Sequence, residues 1–131
     1  MAGSIASGSP ADYFPDSGAM SGAADLHSTL NDMTRFLIAN MQPGPTPLSG
    51  PIALAQGLRA AGRNPGTGVG LGWEIDQLGT TGARVYKGGG TRGFTSYTSF
   101  MRDGSSGFVL LTNGMYIDTI APHMLNILGN N

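Results

Sequence analysis

Four short segments in the second half of the chain predict a β-sheet there. Each is apolar or alternating and is bounded by Gly, Asp, Asn or Ser, which favour turns. The segments cover residues 70–75, 84–88, 94–101 and 107–113. Since the link 102–106 is short enough for a hairpin, the last two strands are expected to be antiparallel. The nearly continuous apolar run 108–111 is typical of a strand covered on both faces.

A helical pattern precedes these strands. Apolar residues at steps of three and four, which share one helical face, are Leu30, Met33, Phe36, Leu37 and Met41. Ser28 or Thr29 can accept a hydrogen bond from the free N–H groups at the helix start, and Asp32 completes a capping-box-like pattern. Proline at positions 43 and 45 blocks continuation. The pattern predicts a helix over residues 29–41.

Two further helices are predicted. One covers residues 51–58, with Pro51 at the first helical position, where its missing N–H is not needed. The other covers residues 119–128, with Pro122 tolerated in its first turn. The stretch 62–70 is expected to be a loop that leads to the sheet.

These elements predict an α+β fold with one or two N-terminal helices, a small antiparallel sheet of three to four strands and a C-terminal helix. We expect a single domain over residues 1–131. Its parts are a loop at 1–24, a helical part at 25–62, and a sheet with the C-terminal helix at 69–131.

Composition excludes several classes of protein. The formal net charge of −1 gives no electrostatic reason to expect nucleic acid or an anionic membrane as a partner. Without cysteine, the chain has no disulfide and no thiolate metal site. No apolar run approaches the ~20 residues of a membrane helix, and residues 1–9 do not have the pattern of a secretory signal. The compartment therefore stays open.

The strongest candidate site follows the second strand. Lys87 is the only lysine, and it opens the run Lys-Gly-Gly-Gly-Thr-Arg-Gly-Phe at residues 87–94. A single cation beside three glycines, between two strands, indicates an anion-binding edge where the backbone approaches a ligand closely. The glycines have a second explanation, since Gly88, Gly89 and Gly90 can also permit a bulge or close sheet packing.

This run resembles the Lys-Thr-Gly strand motif of the serine β-lactamase and penicillin-binding-protein family. Other segments resemble family motifs in the same order. Residues 28–37 are similar to its Ser-Thr-x-x-Asp-Met-x-Arg-Phe-Leu helix, residues 70–74 to its Gly-Leu-Gly-Trp strand, and residues 94–97 and 107–113 to the two following strands. Together they resemble the C-terminal part of a class C β-lactamase, a D-alanine carboxypeptidase or a family esterase, and hence a partial β-lactamase/transpeptidase-like fold.

The resemblance implies a segment of a serine hydrolase. Family members carry a Ser-x-x-Lys nucleophile motif and a Tyr-x-Asn or Ser-x-Asn motif in an N-terminal region. Residue 84, three before Lys87, is arginine, and no tyrosine here has Asn two residues later. The expected partner is therefore a missing N-terminal segment of the same fold or another copy of the chain. The substrate of the complete enzyme would be an ester, β-lactam or peptide carbonyl, and no cofactor is implied.

Site roles carry over from the family motif. Lys87 would supply positive potential, and the backbone N–H of Gly90 would be one oxyanion donor. Gly88, Gly89, Thr91 and Arg92 are the candidate substrate-binding residues. Gly88 stands where the family has threonine, which removes a hydroxyl that could hold a substrate carboxylate, and Thr91 or Arg92 is the candidate replacement.

Family members are often periplasmic or secreted.

Two other functions stay open on the sequence. One is a non-catalytic ligand-binding or interaction module that retained the lysine strand. The other is a free-standing hydrolase that uses Ser96 or Ser99 as its nucleophile. A metal role for His27 or His123 is not favoured, because neither has partners at ligand spacing. Trp73 is expected in a core or interface, and Glu74 is explained as a solvated residue.

Overall fold

The computed structural model describes residues 18–24, 26–77, 82–114 and 117–129. Their helices are a short 3₁₀ helix at Gly18–Met20, α1 at Ser21–Ala24, α2 at Leu30–Met41, α3 at Ser49–Gln56 and α4 at Ile117–Gly129. The predicted cap of α2 is confirmed. The Asp32 N–H donates to Thr29 Oγ1 at 3.2 Å, and the Thr29 hydroxyl donates to Asp32 Oδ2 at 2.9 Å. This arrangement satisfies one of the free donors at the helix start.

An antiparallel sheet of six strands follows the order of the chain. The strands are β1 at Ala60–Ala61, β2 at Thr67–Val69, β3 at Glu74–Gln77, β4 at Ala83–Thr91, β5 at Phe94–Met101 and β6 at Gly107–Thr112. In the β3–β4 pair, Glu74 lies opposite Tyr86 and Asp76 lies opposite Arg84. Because consecutive strands are neighbours, short turns are sufficient to connect them.

The chain forms two compact units built from discontinuous segments. The first comprises residues 1–32, 88–97 and 110–131, and the second comprises residues 33–87 and 98–109. The core of the second unit contains the buried side chains of Leu37, Trp73, Val85 and Phe100. In the first unit, Ile117 and Ala121 of α4 are buried, and the Thr95 hydroxyl donates to the Gly114 carbonyl at 2.8 Å.

A tight turn against α3 precedes β3 in the second unit. The Leu71 N–H donates to the Ala55 carbonyl at 2.8 Å, and the Gly70 N–H donates to the Trp73 carbonyl at 2.9 Å. A Cβ atom at Gly70 would overlap the Ala55 oxygen, and Gly72 has a φ of +77°. Glycine is therefore required twice in the Gly-Leu-Gly-Trp segment, once by close approach and once by the left-handed backbone.

A buried polar network fixes the end of α3. The Gln56 amide donates to the Asn40 carbonyl at 2.9 Å and to Asn40 Oδ1 at 3.3 Å, and Asn40 Nδ2 donates to the Phe36 carbonyl at 2.9 Å. The Arg102 guanidinium donates to the Gln56 carbonyl. Since Asn40 and Gln56 are buried, these bonds replace hydrogen bonds to water that both amides lose on folding.

The α+β class is confirmed, but the sheet has six strands rather than three to four. The strands β1 and β2 lie in and beside the stretch 62–70, where a loop was expected. They contain two and three residues, too few to show an alternating pattern. The expected strand over 70–75 is wrong for residues 70–73, because the contact with Ala55 holds this segment in a turn.

Several helix boundaries also differ from prediction. The helix α3 begins at Ser49, so Pro51 lies inside its first turn rather than at the first position. Pro122 lies within α4, which begins at Ile117 and not at residue 119. Residues 18–24 form two short helices where a loop was expected, while residues 1–17 of that loop lie outside the described residues. Helices of three and four residues are too short to show a helical apolar period.

Strand β6 is less covered than its sequence predicted. Phe108 is buried, but Leu111 is 40% exposed. The expectation of cover on both faces is therefore wrong at Leu111. An apolar run indicates a strand without determining what packs on each of its faces.

Candidate active-site strand

Strand β4 carries most of the residues that the sequence analysis selected. Lys87 is the last residue of this strand within the second unit, and Gly88, Gly89, Gly90 and Thr91 continue it within the first unit. The remaining candidate for substrate binding, Arg92, begins the turn to β5. The expected strand over residues 84–88 is thus longer, because the three glycines continue the extended conformation.

The lysine is held by a carboxylate from the neighbouring strand. Lys87 Nζ lies 3.2 Å from Glu74 Oε1, and the two side chains are 54% and 42% exposed. At this exposure water screens much of the attraction, so the pair contributes little to stability. The Lys87 ammonium is therefore accessible to solvent, although it is paired with the Glu74 carboxylate.

The glycine run has no strong structural requirement for glycine. None of the three glycines has a positive φ, and Gly89 and Gly90 are exposed. A Cβ atom at Gly89 would lie 3.5 Å from Ser96 Oγ, which is ordinary van der Waals contact. At Gly88 and Gly90 it would lie 3.3 Å from the Tyr97 ring and from the Thr95 methyl group, so the neighbour would move by a few tenths of an ångström.

Glycine inside a strand costs stability, because it loses more backbone entropy than other residues and has no side chain to pack. Packing explains part of the cost at Gly88 and Gly90 but not at Gly89. The run therefore leaves a strip of backbone without side chains, to which a ligand can approach closely.

The turn after β4 also needs glycine. Gly93 has a φ of +83°, which permits the two-residue connection from Thr91 to Phe94. Arg92 is exposed and Thr91 is half-buried. The turn therefore places the arginine in solvent at the tip of the β4–β5 hairpin.

The two serines proposed as alternative nucleophiles differ in accessibility. Ser99 is 1% exposed in the second unit, so its hydroxyl is closed to a substrate. Ser96 is half-buried in the first unit, near Gly89. Burial therefore counts against Ser99, and Ser96 stays the more accessible of the two.

Glu74 is the residue that sequence reasoning missed. It was explained as a solvated residue, and its side chain is indeed 42% exposed, but the ion pair of its carboxylate with Lys87 was not expected. A signal existed: Glu74 is the only glutamate and Lys87 is the only lysine, and they occupy consecutive strand segments. The pairing itself depends on the register of β3 with β4, which sequence alone did not determine.

Neighbouring charges on the same two strands are also paired. The Arg84 guanidinium donates to the Asp76 carboxylate, and its charged end lies 5.0 Å from the centroid of the Tyr86 ring. Both side chains of this ion pair are mostly buried, at 15% and 17% exposed. Lys87 is thus the more accessible of the two cations on β4.

Two wider features concern metals and membranes. Within residues 18–24, 26–77, 82–114 and 117–129, we find no group of three or more His, Cys, Asp or Glu side chains that could hold a metal ion. In the same part of the chain, the helices are too short or too polar to cross a membrane.

Comparison with known proteins gives one family. Residues 3–125 match the family described as Beta-lactamase. The match includes α2, the whole sheet and most of α4. No curated protein matches the chain.

Proposed function

Since the chain belongs to the Beta-lactamase family, we propose that it is the C-terminal segment of a serine hydrolase and contributes the lysine strand of the active site. Other residues, in the same polypeptide or in a separate chain, supply the Ser-x-x-Lys nucleophile. The substrate is a carbonyl compound, either an ester, a β-lactam or a peptide.

The glycine run is the observation that carries this proposal. Three consecutive glycines extend β4 directly after the only lysine, and neither backbone conformation nor packing requires glycine at Gly89. An accessible ammonium that is followed in the chain by bare backbone suits a ligand that presents an oxygen or a partial negative charge. The family match makes an acyl substrate the favoured ligand.

Each residue has a role in this chemistry. Attack of a serine on the carbonyl creates an oxyanion, which fixed backbone donors stabilise without reorganisation. The Gly90 N–H is one donor, and the N–H of the nucleophilic serine is the other. The Lys87 ammonium supplies positive potential, while Gly88 and Gly89 let the substrate lie against the strand. Thr91 at the end of β4 and Arg92 in the following turn are the candidate side chains for contacts with the rest of the substrate.

A complementation experiment tests the proposal. The chain is mixed with an N-terminal segment of another Beta-lactamase-family protein that carries Ser-x-x-Lys but lacks its own lysine strand. Turnover of a chromogenic ester and a chromogenic cephalosporin is measured, and intact mass detects a trapped acyl adduct. We expect an adduct on the added serine only in the mixture, and its loss with Lys87→Met.

A matched control is Arg63→Met, which removes an exposed cation from the loop between β1 and β2. This variant should support the same adduct as the unmodified chain. A stoichiometric adduct on a serine of the chain alone would contradict the proposal, and Ser96 would be the first residue to examine.

A second candidate function is a non-catalytic module that binds a carbonyl or anionic ligand. The exposure of the Lys87 ammonium favours it, because a cation that is open to solvent can bind a ligand oxygen whether or not a nucleophile completes the site. Ligand binding that is unchanged in the complementation mixture, with no adduct formed, would support this function.

Partners follow from the same proposal. A segment that completes the site is either the N-terminal region or another copy of the chain. Analytical ultracentrifugation of the chain alone, over a range of concentrations, distinguishes these partners. Self-association would favour another copy, while a monomer at all concentrations would favour the N-terminal region.

A further inference from the structure

Glu74 gives the lysine site a feature that the glycine strand alone does not have. Its carboxylate already forms an ion pair with Lys87, with 3.2 Å between Oε1 and Nζ. Both groups are about half exposed, so each can exchange its partner for water or for a ligand. Together the ammonium and the carboxylate carry no net charge.

A ligand carboxylate at Lys87 must compete with this internal carboxylate. If the ligand displaces Glu74, the side chain loses its cation; if both remain, two negative charges share one ammonium and repel each other. A neutral acyl group meets neither cost, because its carbonyl oxygen accepts a hydrogen bond while the ion pair stays in place.

Gly88, the residue after Lys87, also disfavours a ligand carboxylate. Gly88 provides no hydroxyl that could hold a carboxylate and offset this competition. The other cation on β4, Arg84, is already bound to Asp76 and is largely buried. Within the second unit, therefore, both cations on β4 are already paired with a carboxylate, and an anionic ligand would have to compete for either of them.

We propose that Glu74 is a specificity-determining residue that competes with ligand carboxylates for Lys87 and thereby selects neutral acyl ligands such as esters. The inference rests on the proposed function, because it assumes that Lys87 faces the ligand. It assigns Glu74 a role through Lys87 rather than in the reaction itself.

The single lysine provides a selective readout. Protein labelled with ¹³C-lysine gives one side-chain Cε–Hε signal, which belongs to Lys87 because no other lysine is present. Its shift is followed during titration with phenylacetate and with methyl phenylacetate. The two probes share an aromatic ring and a carbonyl group, and differ in charge.

The test variant is Glu74→Gln, which retains the length of the side chain and a hydrogen-bond acceptor but removes the charge. The matched control is Asp103→Asn, which removes one negative charge from the loop between β5 and β6. Circular dichroism at the temperature of the titration checks that all three proteins are folded.

We expect Glu74→Gln to lower the Kd for phenylacetate about two- to five-fold, the range that an exposed ion pair allows. The Kd for methyl phenylacetate should stay unchanged, and Asp103→Asn should change neither Kd.

An unchanged Kd for phenylacetate in Glu74→Gln, with the Lys87 signal responding normally, would overturn the role of Glu74 and leave the lysine site intact. An equal gain in Asp103→Asn would also overturn it, because the effect would then be one of overall charge. If neither probe moves the Lys87 signal in any protein, both this inference and the ligand-facing role of Lys87 are wrong.

Discussion

The indole ring of Trp73 meets the phenyl ring of Phe100 edge to face, with ring centroids 5.5 Å apart and planes at 89°. Edge-to-face pairs are favourable because the positive edge of one ring faces the negative face of the other. Trp73 ends the turn that precedes β3, and Phe100 lies on β5. The pair therefore joins two elements of the second unit that are distant in the sequence.

Phe100→Ala should destabilise the protein strongly. The ring is 1% exposed, so its removal leaves a cavity beside Trp73, and phenylalanine-to-alanine changes in cores cost about 3–5 kcal/mol. Urea unfolding monitored by Trp73 fluorescence measures the loss. Phe94→Ala is the matched control, since Phe94 is 41% exposed and should lose far less. Equal losses would mean that the Trp73–Phe100 contact contributes little.

Gly70→Ala should also destabilise the fold. The new methyl group would overlap the Ala55 carbonyl oxygen, so the turn must move away from α3 and weaken the Leu71–Ala55 hydrogen bond. A loss of about 1–3 kcal/mol is expected, as for other overpacked sites. Gly50→Ala is the control, because a Cβ atom there meets nothing within 4 Å. Inside helix α3, alanine should stabilise by up to about 1 kcal/mol. A neutral Gly70→Ala variant would contradict the described turn.

Gln56→Leu should destabilise the protein, because it disrupts the buried polar network at the end of α3. The change removes the donor to Asn40 while retaining most of the side-chain volume. The buried Asn40 oxygens lose a partner, which costs about 1–3 kcal/mol. Gln42→Leu, at an exposed position, is the control and should be nearly neutral in the same urea unfolding experiment. A neutral Gln56→Leu variant would mean that water replaces the lost donor.

The sequence predicted elements with a long local pattern better than those that depend on distant contacts. Helix α2 was predicted to within one residue because five apolar residues share one face and Thr29 caps it. Strand β5 matches its predicted bounds because turn residues flank it on both sides. By contrast, the segment 70–73 has strand-like residues, but its conformation follows from a hydrogen bond to Ala55.

The candidate site shows the same division. Lys87 and the three glycines could be selected from the sequence because they are adjacent in it. The carboxylate paired with Lys87 belongs to Glu74, 13 positions earlier in the chain on β3. Only the β3–β4 register brings the two side chains together. The roles of Lys87, Gly90 and the substrate-binding residues stay predictions.

Asp103 should contribute a pH-dependent part of stability. Hydrogen bonds from Ser105, through its side chain first and then its backbone N–H, lower the pKa of Asp103; the N–H lies 2.9 Å from Oδ1. Because the folded pKa is below the unfolded one, this contribution is present above about pH 4 and is lost as the pH falls through the folded pKa.

The measurement compares urea midpoints at neutral pH and at about pH 3, below the usual aspartate pKa. Asp103→Asn should lower the midpoint of the protein at neutral pH and reduce its decrease in acid. An identical acid decrease in both proteins would show that other carboxylates account for it.

Lys87→Met should separate a binding role from a structural one. The side chain is 54% exposed and its ion pair with Glu74 is solvated, so the free energy of unfolding should change by less than about 1 kcal/mol. The adduct in the complementation mixture should disappear, because the ammonium that polarises the site is gone. Urea unfolding and intact mass, applied to the same preparation, compare the two effects directly. Loss of folding in proportion to loss of the adduct would mean that Lys87 is a structural residue and would remove the main support for a site on β4.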